Sequence, residues 1–90
     1  MNIETIIVYS DYKQIEKIKE EIKTPVIFTF IDILSKKGKK DGWVVKSHWG
    51  AKLDPFVLIK IDGVPIKAFY SEDKKDPISE TIKYLNLCEF

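Results

Sequence analysis

The sequence predicts an α/β fold of one domain spanning residues 1–90: a parallel βαβ unit, a short connecting helix, then a ββα unit, with the strands in one four-stranded mixed sheet. Three observations predict it. Two β-branched runs, residues 3–9 and 26–33, flank an amphipathic stretch, and strand, helix, strand with short connections reads as a right-handed crossover. A third apolar run, residues 56–61, ends in Asp62-Gly63, the preferred pair for a two-residue hairpin turn. Asp76-Pro77, a cap followed by proline, opens a final helical stripe.

Ile3 to Tyr9 is nearly all apolar and fits a strand buried on both faces. Ser10 or Asp11 then caps a helix, with Gln14 as the capping-box partner of Asp11. The helix is expected to run to Lys23, with Tyr12, Ile15, Ile18 and Ile22 as its apolar stripe. Pro25 stops it, because the residue before a proline avoids helical backbone. Residues 26–33 follow as the second strand. Residues 34–41 read as a basic loop, and residues 42–49 as a short helix capped by Asp41. Residues 64–70 form the return strand of the hairpin, and Pro65, which has no N–H to give, places it at a sheet edge. In the last helix Ile78, Ile82 and Leu85 face the core. Asn86 is expected to close it in a left-handed conformation, with Leu87 packing back.

Ninety residues with 44 % hydrophobic content support one core without staples. A net charge of +1 argues against a strongly electrostatic role for the whole molecule. All 15 basic residues are lysine, which lowers the expectation of sequence-specific nucleic-acid reading, where arginine's planar fork is the usual tool. The single cysteine, Cys88, permits no internal disulfide and no cysteine metal cluster. The first residues carry Glu4 and no basic region, unlike a signal peptide, and no apolar run approaches a membrane span. A cytoplasmic location follows as an expectation, or a virion if the chain is viral.

From Trp49 onward the spacing resembles the thioredoxin-like superfamily. There an aromatic-glycine pair ends the middle helix, a cis-proline follows five residues later, and a glycine turn comes eight residues after that. Trp49-Gly50, Pro55 and Asp62-Gly63 fall at those spacings. The resemblance implies a sheet in order 2-1-3-4, a cis Asp54–Pro55 bond, a core position for Trp49, and a backbone at Asp54 that faces outward for an extended peptide. The chain departs from the family at one decisive place. Thioredoxins and glutaredoxins carry at least one cysteine at the start of the first helix, where the helix end lowers its pKa. Here residues 9–17 read Y-S-D-Y-K-Q-I-E-K. Without a thiolate no mixed disulfide forms at this position.

Other chemistry is thinly represented. His48 is the only histidine and has no cysteine or histidine pair for zinc, so a helix-surface or partly buried role is expected. Ser10 and Ser71 have no histidine near them in sequence. Tyr70-Ser71-Glu72-Asp73 follows the edge strand, where glutathione-binding relatives often place an acidic residue that holds the ligand's amine; a polar loop plus helix cap is the plainer reading. Lys36, Lys37, Lys39, Lys40, Lys46 and Lys52 outnumber Asp41 in one stretch that also holds Trp43 and Trp49. Such a pattern suits single-strand nucleic acid, or a protein contact centred on tryptophan. The expectation is a redox-inactive, non-catalytic module without cofactor or metal, an accessory protein of a bacterium or bacteriophage. It would bind a protein or peptide through Tyr12, Asp54, Pro55 and Trp43, with the six lysines as a second patch, as a monomer or small homo-oligomer. Single-stranded nucleic-acid binding and a glutathione-using enzyme are the alternatives.

Overall fold

The computed structural model describes residues 2–87; Cys88, and with it any role for that thiol, lies outside the described residues. The strands are β1 (Ile3–Tyr9), β2 (Ile27–Asp32), β3 (Phe56–Ile61) and β4 (Val64–Phe69). The helices are α1 (Ile18–Glu21), α2 (Lys36–Trp49) and α3 (Pro77–Leu87), and a 3-10 turn, Tyr12–Gln14, precedes α1. The sheet runs β2-β1-β3-β4, with β1 parallel to β2 and antiparallel to β3. None of the helices among the described residues is long and apolar enough to cross a membrane.

The two central strands are covered on both sides, which is why they carry apolar residues at consecutive positions. Ile7, Val57 and Ile59 pack with Ile18, Ile78 and Leu85 on one face. Val8, Phe56 and Leu58 pack with Ala51 on the other, where Trp49 and Val45 of α2 lean against them. The hairpin turn has positive φ at both Asp62 (50°) and Gly63 (81°). β4 is an edge strand, and its pairing shifts register between Ile59 and Lys60.

Four sequence expectations are corrected. The first helix does not run unbroken to Lys23. Asp11 does cap the first turn, accepting from the Lys13 N–H at 3.0 Å, but that turn is 3-10 and ends at Gln14, residues 15–17 form turns, and α-helix begins only at Ile18 and ends at Glu21. Ile15, Ile18 and Ile22 are nonetheless all buried in the core, so the apolar stripe is kept although the helix is not continuous. Second, the basic stretch 34–41 is not a loop: α2 begins at Lys36, capped by Ser35, whose Oγ accepts from the Gly38 N–H at 2.9 Å. The buried stripe of α2 starts with Gly38 and Gly42, where the helix lies against the sheet. A Cβ at Gly42 would come within 2.7 Å of Ile33 Cγ2, and one at Gly38 would overlap the Asp32 carbonyl oxygen. A glycine stripe leaves no apolar periodicity to read.

Third, Asn86 does not close α3 in a left-handed conformation, and Leu87 is exposed. Its amide is used elsewhere: Nδ2 donates to the Glu21 carbonyl at 2.8 Å, and Oδ1 accepts from the Lys23 N–H at 3.1 Å. The side chain thus stands in for a peptide group at the end of α1. The return strand also ends one residue early, at Phe69, and Tyr70 begins the loop to α3.

Candidate binding surface

Gly50, at φ 71°, ends α2 in a left-handed turn. Its N–H donates to the Ser47 carbonyl at 3.3 Å, and the Ala51 N–H to the Lys46 carbonyl at 2.8 Å, the paired bonds of a Schellman end. Three consecutive residues after β4 then hold the segment from Trp49 to Pro55. The Tyr70 hydroxyl donates to the Trp49 carbonyl at 2.8 Å, and the Ser71 hydroxyl to the Pro55 carbonyl at 2.6 Å. The Glu72 carboxylate accepts from the Lys52 N–H at 2.9 Å and the Leu53 N–H at 3.1 Å. The Lys52 bond, with the Leu53 bond and the nearby Lys46 charge, outweighs desolvation and holds the Glu72 carboxyl below its ordinary 4.5. Both Glu72 oxygens therefore serve this loop.

The Asp54–Pro55 peptide is cis, and Pro55 is buried. The Asp54 carboxylate lies 2.6 Å from Lys46 Nζ, and both side chains are about five-sixths covered (15 % and 16 % exposed). Lys46 Nζ also reaches the Lys52 carbonyl at 3.4 Å. Of the six lysines expected in a basic patch, Lys46 is thus spent on an internal ion pair.

The rest of the patch divides along α2. Lys39, Trp43, Lys46 and Ser47 share one helix face and, with Ile33, Ala51 and Lys52, line an open groove of about 450 Å³. Trp43 is 69 % exposed. Lys37 borders a different recess, with Asp41, along β2. Lys36 and Lys40 are exposed. The first turn of α2 holds no acidic residue, and Lys36 and Lys37 stand there at the positive end of the helix dipole, where each is unfavourable by about 0.3–1 kcal/mol. Helix stability does not account for them.

Tyr12, 66 % exposed, lies elsewhere. It lines a small recess of about 130 Å³ with Tyr9, Ile15, Glu16, Lys19 and Phe30. Burial, reinforced by the Asp32 carboxylate and Tyr12, pushes the Tyr9 hydroxyl above its ordinary value. Neither Asp54 nor Pro55 lines the recess at Tyr12 or the groove at Trp43. Of the four residues expected in one binding surface, Trp43 and Tyr12 are open to solvent while Pro55 is enclosed. His48 is exposed and meets Trp49 edge to face at 5.6 Å. Among the described residues no group of acids, histidines and cysteines is placed to hold a metal ion. Sequence reasoning missed the structural work of Tyr70, Ser71 and Glu72. The one local signal was a polar triplet directly after an edge strand.

No family model matches the sequence, and no curated protein matches it. Among solved structures, this chain is similar to a mutant thioredoxin from Halobacterium salinarum NRC-1. The TM-score is 0.61 at 15 % identity, and the match covers 99 % of this chain and 79 % of that one. The likeness is one of fold, and it agrees with the sheet order β2-β1-β3-β4.

Proposed function

Because the chain has a thioredoxin-like fold but no cysteine between Tyr9 and Lys17, we propose that it is a redox-inactive, non-catalytic module that binds a partner protein. The docking surface is the outer face of α2, centred on Trp43. The observation that carries this reading is the groove itself: a tryptophan 69 % exposed, beside Lys39 and Lys52, with Ile33 and Ala51 in its wall. An indole buried at an interface is a common hot spot. Lysines around it favour a partner segment with acidic residues flanking a large apolar side chain. Ala51 and Lys52, just after α2, form one rim of the groove, and the Glu72 bond to the Lys52 N–H and the Lys46–Asp54 pair hold the loop that carries them.

A disulfide-reductase assay on the full chain tests the non-catalytic half of the reading. No turnover is expected, and turnover that persists in Cys88→Ser contradicts it. A gel shift with single-stranded oligonucleotides, steeply weakened by salt and by removing Lys36, Lys37, Lys39 and Lys40, would favour nucleic acid instead.

A further inference from the structure

The two edges of the sheet are unlike. β4 carries the features that discourage pairing with another chain: Pro65, a register shift beside it, and Lys67. β2 carries none of them. Its sequence, I-F-T-F-I-D, has no proline, no glycine and no charge before Asp32, and Ile27 is 59 % exposed. The Ile33 N–H donates to the Tyr9 carbonyl at 2.9 Å, so Ile33 points its backbone toward β1. By the alternation of a strand, Thr29 and Ile31 do the same, and the N–H and C=O groups of Phe28 and Phe30 point outward. Among the described residues no strand pairs with that edge. An open recess of about 320 Å³, with Thr29, Ile31 and Lys37 in its wall, runs along it.

Residues 27–31 read the same in both directions, I-F-T-F-I. We infer that the β2 edge pairs with the β2 edge of a second copy of this chain, antiparallel about a two-fold axis at Thr29, to give one continuous eight-stranded sheet. In that register Phe28 faces Phe30 of the other copy as a hydrogen-bonded pair, Ile27 faces Ile31, and Thr29 faces Thr29. Aromatic with aromatic is a favoured cross-strand pair, Ile27 with Ile31 sets apolar against apolar, and each Thr29 hydroxyl keeps its bond to Glu4 Oε2 of its own copy at 3.2 Å. No like charges oppose each other within the five residues. An unrelated segment would use the same backbone groups, but the palindrome makes each side chain of the seam meet one of its own kind when two copies pair. The seam is short beside the roughly 1,200–2,000 Å² of a stable interface, so the association depends on concentration.

Sedimentation velocity across a roughly hundredfold range of protein concentration tests this, with circular dichroism confirming the fold of each variant. The wild type is expected to pass from one copy to two. Ile27→Lys, which places a charge in the seam from an exposed position, is expected to stay a single copy. Val64→Lys on the other edge is expected to behave as wild type. In a Cys88→Ser background, Thr29→Cys is expected to form a covalent dimer on oxidation, because facing residues of a non-hydrogen-bonded pair lie about 4.5 Å apart, within disulfide reach. Ile27→Cys, which faces Ile31, is expected to cross-link far more slowly. A wild type that stays single throughout, or a dimer that survives Ile27→Lys, overturns the inference. So does an Ile27→Cys link that outpaces Thr29→Cys.

Discussion

The carboxylate of Glu72 and the backbone N–H of Lys52, twenty residues apart, meet at 2.9 Å and tie the loop after β4 to the rim of the groove at Trp43. This bond is the main reason the Glu72 carboxyl lies below its ordinary 4.5. A carboxyl with a lowered pKa in the folded state adds stability that is fully present above 4.5 and is lost as the pH falls through the lower folded value. Denaturant midpoints measured from neutral pH down to below 4.5 are therefore expected to fall less steeply in Glu72→Gln than in the wild type. Equal slopes would show that the loop does not depend on the charged form.

The start of α2 gives a second expectation. Replacing glycine by alanine inside a helix ordinarily gains up to about 1 kcal/mol. At Gly38 the new methyl would overlap the Asp32 carbonyl and lie 2.6 Å from the capping Ser35 Oγ. Gly38→Ala is expected to lose about 1–3 kcal/mol net, as overpacked sites do. Lys40→Ala, on the exposed side of the same helix, should stay within about 0.5 kcal/mol of wild type. Urea unfolding of both variants checks the contrast.

Thr5 is buried in the middle of β1, and its hydroxyl has no hydrogen-bond partner among the described residues. A buried hydroxyl without a partner carries its desolvation penalty uncompensated. Thr5→Val keeps the shape and removes the oxygen, so it is expected to gain about 1 kcal/mol. In a chain of this size that raises the melting temperature by about 4–8 °C, which calorimetry would read.

The sheet was legible because its signals are local. β-branched runs mark the strands, Asp62-Gly63 sets the hairpin, Pro65 marks an edge, and Asp76-Pro77 opens α3, where the Ile78 N–H meets Asp76 Oδ1 at 3.2 Å. The extent of α2 was hidden because its close approach to the sheet demands glycine at positions 38 and 42, where a pattern reader looks for leucine. The end of α3 was misread because the Asn86 amide satisfies Glu21 and Lys23, a use that only tertiary contact reveals. At the candidate site the cluster of lysines with Trp43 could be seen in sequence. That Lys46 is withdrawn from it by Asp54, eight residues on, could not.

Selecting peptides from a random display library on the immobilised full chain, with affinities then measured against wild type and Trp43→Ala, tests the binding role most directly. Enrichment of segments that pair acidic residues with a large apolar one is expected, with a loss of affinity of about thirtyfold in Trp43→Ala, the mark of a hot-spot tryptophan. No enrichment, or enriched peptides that bind Trp43→Ala as tightly as wild type, would contradict it.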